Sequence, residues 1–217
     1  HKLLNGNIHY MKEHGGRTVR TRIRSTIKAK KEFEEAGRKV RVHLPIPKVY
    51  EQVSNVEIHA SNPEITYIAP EDAPQRTVYF ETELKENQEF MVDYSFDYHV
   101  NYVELDPDKV SEEQPDFCLE EQAPHIVFTP YLRELRDELA GDETNPIILA
   151  RRFYDFVTTK VMYSFMREYF TIECIPEYCA INLKGDCGVQ ALLFITLCRM
   201  SGIPARWQSG LYATEYY

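Results

Sequence analysis

Residues 185–210 read GDCGVQALLFITLCRMSGIPARWQSG, and the fold turns on how this stretch is read. Ala191, Leu192, Leu193, Phe194, Ile195, Leu197 and Met200 leave few polar positions on any side. The stretch therefore predicts a helix from about Cys187 to Met200 that is central and buried. Lys184-Gly185-Asp186 supplies a turn and an N-cap. Ser201-Gly202 ends the helix, and Ile203-Pro204-Ala205-Arg206 turns into an extended stretch, Trp207 to Tyr212. Cys187 then falls in the first turn, where unpaired N–H groups and the helix dipole favour negative charge. A thiol in such a position is more acidic than a free one and carries more thiolate at neutral pH. The same N–H groups can donate to an oxyanion as a tetrahedral intermediate forms. A nucleophile and part of its oxyanion hole thus lie within a few residues. The plainer reading of a cysteine on an apolar helix is a small buried hydrophobe, and Cys198, at mid-helix, fits that reading.

Upstream, Thr129-Pro130 opens a short helix over Tyr131–Leu139, with Gly141 just past its end. Asn145-Pro146 opens a second, with Ile148, Ala150, Phe153, Phe156, Val157 and Val161 at helical spacing. Tyr163 to Lys184 shows no clean period and reads as a long, partly ordered loop holding Cys174 and Cys179 as loop thiols. Glu104 to Glu121 is acidic, carries Pro107 and Pro115, and marks the domain boundary.

Before that boundary the period is two. Val19, Ile23, Ile27 and Ala29 alternate with Arg20, Arg22, Arg24, Lys28 and Lys30, predicting a strand over Thr18–Lys30 with one buried face. Further strands are expected at Val40–Leu44, Val53–Ala60, Ile65–Ala69, Thr77–Leu84 and Phe90–Val103, separated by Gly, Pro and Asn turns. Strands so spaced argue for an antiparallel sandwich. The fold class expected is α+β: a β-sandwich domain over 1–103, an acidic linker over 104–123, and a helical core over 124–217. His43, His59 and His99 sit within strand patterns and read as structural or surface residues.

Charge narrows the function classes. The net charge is −9, yet residues 1–50 carry 13 Lys/Arg against 4 Asp/Glu, and residues 51–103 carry 2 against 11. The basic strand should pair with these acidic neighbours rather than with nucleic acid. No apolar run approaches the roughly 18–20 residues of a membrane span, and the N-terminus lacks a secretory apolar stretch. The chain opens on His1 rather than Met, so it reads as a piece of a longer product. Five cysteines form an odd set that suits reduced thiols and a cytoplasmic setting. Cys174, Cys179 and Cys187 match no paired zinc knuckle and have no His nearby, so no metal and no cofactor is expected.

The run Gly185–Gly210 resembles the nucleophile segment of the transglutaminase-like superfamily: a Gly-x-Cys helix start, a Leu-rich helix, then Gly-Ile-Pro-Ala-Arg and a Gly. Asn145–Tyr163 resembles the preceding helix of that family with its Val-x-Tyr ending, here Val161-Met162-Tyr163. The likeness covers about residues 124–217, and the preceding sandwich resembles the family's accessory β domains more weakly. It implies a papain-like fold and a Cys-His-Asp triad attacking an amide carbonyl of a protein or peptide, with hydrolysis or acyl transfer as outcomes. Cys187 matches the nucleophile. Tyr163 matches a position that lines the site or donates to the oxyanion, and Arg206 one that places the strand after the helix.

In that family the His and Asp follow the Cys. Here all seven His precede Cys187, the nearest being His125, and the only later acid is Glu215. The resemblance therefore implies that the His and Asp lie beyond Tyr217. The competing reading is a non-catalytic scaffold with a degenerate core, whose sandwich binds a protein partner. Disulfide or zinc chemistry at Cys174, Cys179 and Cys187 is the third.

Overall fold

A computed structural model gives the fold and describes residues 2–210. The chain divides into two compact units at the Glu104–Leu105 junction. The first begins with a helix, α1 (Lys2–His14), followed by six strands: β1 (Gly16–Lys28), β2 (Lys39–Pro45), β3 (Val53–Asn62), β4 (Tyr67–Ile68), β5 (Thr77–Glu83) and β6 (Glu89–Asn101). The strands form two antiparallel three-stranded sheets, ordered β1-β6-β3 and β2-β5-β4. Leu44, Val78 and Phe80 of one sheet share a core with Phe90, Val92 and Tyr94 of the other. Period-two alternation aims these side chains to one face of each sheet, and burying that face is what joins the two.

The expected buried face of β1 is corrected by its place at the sheet edge. Only Ile23 reaches the core; Val19 and Ile27 are exposed, and Ala29 lies past the strand end. An edge strand has one flanking strand to cover it, so strict alternation over-reads its burial. The basic face behaves as the charge balance predicts. Arg20 lies opposite Asp97 in register and bonds its carboxylate at 3.1 Å. Arg22 and Arg24 both reach the buried Asp93, at 2.8 and 3.0 Å. The Arg22 hydrogen bond first, then that of Arg24, holds the Asp93 carboxyl below its ordinary range. His43, His59 and His99 make side-chain hydrogen bonds to Thr77, Ser95 and Thr18.

The second unit is helical: α2 (Pro130–Ala140), α3 (Pro146–Lys160), α4 (Ile175–Asn182) and α5 (Cys187–Met200), with two short strands, β7 (Met162–Tyr163) and β8 (Lys184–Gly185). The start signals act as read. Thr129 Oγ1 accepts from Leu132 N at 3.2 Å, and Asn145 Oδ1 accepts from Ile147 N at 3.0 Å. Each satisfies an amide that the first turn leaves unpaired. Leu149, Phe153 and Val157, one turn apart on α3, join Leu132 of α2 and Leu192, Leu193 and Leu197 of α5 in one core.

The long loop expected over Tyr163–Lys184 is wrong in its middle. A 3-10 turn occupies Tyr169–Thr171, and α4 follows. At eight residues α4 is too short for a period to show, and Ile175, Tyr178, Cys179, Ala180 and Ile181 place apolar groups around it. Cys179 is accordingly a fully buried core residue rather than a loop thiol, and Cys174 is half-buried at the start of α4. Residues 203–210 form no regular element, and Leu211 and Tyr212 of the expected extended stretch lie outside the described residues. Among the described residues no helix is long and apolar enough to cross a membrane.

Candidate active site

The first turn of α5 is held from below and from the side. Asp186 caps it, with Oδ1 accepting from Val189 N at 3.0 Å and its carbonyl accepting from Gln190 N at 3.0 Å. Gln190 in turn donates from Nε2 to Gly185 O at 2.9 Å. As in any helix start, the first-turn amides have no intrahelical carbonyl to bond. Cys187 is the first residue of α5, and its side chain is exposed. The thiol therefore stands at a solvent-facing helix end, while Gly188 beside it is buried.

The approach to this end is a parallel pair, β7 with β8. Tyr163 lies opposite Gly185, two residues before Cys187, and Ser164 N donates to Gly185 O at 3.1 Å. Tyr163 is 69% exposed. The structure thus brings the backbone of Tyr163 alongside the segment that enters Cys187 and leaves its ring to solvent.

One contact was not legible in the sequence. Tyr169, on the 3-10 turn, donates its hydroxyl to Asp186 Oδ1 at 2.5 Å. Desolvation first, then Asp186 and Cys187, pushes the phenol above its ordinary range, so it keeps its proton. The approach depends on Gly188. A Cβ there would stand 2.2 Å from the Tyr169 hydroxyl and 3.0 Å from the Trp207 ring. The glycine after the cysteine is the space that those two aromatic side chains fill.

The other cysteines differ in kind. Burial pushes the Cys179 and Cys198 thiols up to about 12, and burial likewise raises Cys174. Cys118 is half-buried, and its carbonyl accepts from Ala205 N at 3.3 Å. Among the described residues no three His, Cys, Asp or Glu side chains converge as metal ligands would. The turn after α5 is held by Arg199, a buried guanidinium donating to Ala205 O at 2.7 Å and to Glu120 O at 2.8 Å. Arg206 itself is exposed.

Residues 133–216 match the family model of the transglutaminase-like superfamily. The matched residues lie within the second unit, which is therefore the part of the chain that is similar to this superfamily. The stretch around Cys187 and the helix before it fall inside that match, as the resemblance of both segments predicts. A solved structure of a candidate cysteine protease from Cytophaga hutchinsonii superposes with a TM-score of 0.51 at 14% identity. The alignment covers 86% of this chain and 64% of that one, so this chain spans under two thirds of that protein's length. At this identity the likeness concerns the fold alone. No curated protein sequence matches.

Proposed function

We propose that this chain belongs to a cysteine enzyme in which Cys187 attacks the amide carbonyl of a protein or peptide. The observation that carries the reading is an exposed thiol at the first residue of a buried helix, inside the segment that matches the transglutaminase-like superfamily. The positive end of α5 favours charge on Sγ. Sγ bonds to the carbonyl carbon, and the oxygen takes the negative charge at the N–H end of α5. The C–N bond then breaks, the amine leaves with a proton, and a thioester remains. Water returns a carboxylate and the free thiol; a second amine returns a new amide. Tyr163, exposed beside the entering strand, is the side chain we assign to substrate or oxyanion contact. No cofactor takes part in these steps. The general base and its partner carboxylate would come from residues outside those described.

Iodoacetamide labelling tests the nucleophile. With pKa values of about 12, Cys179 and Cys198 present only about one thiolate in 10⁵ at pH 7. Peptide mass spectrometry should find Cys187 alkylated at least about a hundredfold faster than Cys198. Equal rates at the two positions would remove the proposal and favour a non-catalytic scaffold.

A further inference from the structure

We infer that Tyr169 is a positioning residue for the nucleophile, its hydroxyl fixing Asp186 as the cap of the turn that presents Cys187. The inference rests on the assignment of Cys187 as nucleophile and extends it to a residue 18 positions upstream.

Three observations converge. First, a single carboxylate oxygen, Asp186 Oδ1, accepts both the Tyr169 hydroxyl at 2.5 Å and Val189 N at 3.0 Å. The phenol and the helix are tied through one atom, so the carboxylate cannot swing away from the cap without breaking both bonds. Secondly, Gly188 lacks the Cβ that would stand 2.2 Å from the Tyr169 hydroxyl. The phenol therefore packs onto the backbone of the residue next to Cys187, and the Trp207 ring stands 3.0 Å from the same Cβ position. Thirdly, the charge at this helix end needs an offset. The Asp186 carboxylate directly precedes Cys187 in the chain, and its negative charge opposes a thiolate there. A donated phenol proton disperses that charge while leaving the oxygen able to cap. The titratable groups that meet at this turn are Asp186 at the cap, Tyr169 from the 3-10 turn and Cys179 from α4, whose sulfur lies 3.6 Å from the Cβ position of Gly185. Cys179 stays a neutral thiol, pushed up to about 12. Tyr169 stays a donor, since burial and Asp186 hold its proton.

The test is the pH profile of Cys187 alkylation by iodoacetamide in the full chain, for wild type, Tyr169→Phe and Asp186→Asn. Circular dichroism reports folding of each variant. Tyr169→Phe keeps the ring and removes the donor, so the midpoint should rise by about 0.5–1 pH unit. Asp186→Asn keeps an accepting oxygen and removes the charge, so the midpoint should fall by a similar amount. Opposite shifts from two variants at the same cap are not what a purely structural contact produces. A Tyr169→Phe profile superimposed on wild type overturns the role of Tyr169. Should that variant fail to fold, Asp186→Asn decides, and an unshifted midpoint overturns the inference. Wild-type Cys187 labelling no faster than Cys198 instead removes the nucleophile on which it rests.

Discussion

Arg199→Met is expected to destabilise the second unit by about 2–4 kcal/mol. Arg199 is 5% exposed, and its guanidinium is the donor to two backbone carbonyls, Glu120 O and Ala205 O. Methionine keeps much of the stem volume, so the change tests the hydrogen bonds rather than the packing. It leaves both carbonyls short of a donor at the point where the turn after α5 meets the segment around Glu120. Urea unfolding followed by the fluorescence of Trp207, the chain's one tryptophan, reads this unit directly. A midpoint within error of wild type would show that water replaces the arginine without cost and that the turn does not depend on it.

Phe153→Ala should cost about 3–5 kcal/mol by the same measurement. Phe153 is fully buried on α3, one turn from Leu149 and Val157, in the core that α5 completes. Removing its ring leaves a cavity that three helices would have to collapse to fill. Tyr154, the next residue, is 52% exposed, so Tyr154→Ala should change stability by no more than about 0.5 kcal/mol. Similar losses at 153 and 154 would contradict the orientation of α3.

These two residues also mark how far the sequence can be read. Phe153 is visible in the chain because helical spacing and an Asn-Pro start make α3 legible by local rules alone. The same holds for α2, for α5 and for the six strands, whose alternation survives even where β1, at the sheet edge, leaves Val19 and Ile27 uncovered. Arg199 is different. It stands in the chain as a charge in an apolar turn, but its acceptors are carbonyls 79 and 6 residues away, and backbone oxygens leave no trace in side-chain pattern. Helix α4 was hidden because eight residues that are apolar on most sides have no face to repeat. Helix α1 was hidden because Asn5, Gly6 and Asn7 interrupt its apolar spacing with weak helix formers. In the candidate site, the place of Cys187 in the first turn of α5 was legible from its Gly-Asp-Cys-Gly setting. Tyr169 was not, since its bond to Asp186 crosses 17 residues and needs the empty space at Gly188.

Acylation by p-nitrophenyl acetate tests most directly whether this helix end makes a working nucleophile. The ester carries an activated carbonyl, so an exposed thiolate can take its acetyl group without a general acid for the leaving group. Intact and peptide mass spectrometry should find one acetyl group first on Cys187, removable by hydroxylamine as a thioester is, and missing in Cys187→Ala. Acetyl groups confined to lysines, or shared evenly among Cys118, Cys174 and Cys187, would contradict the account.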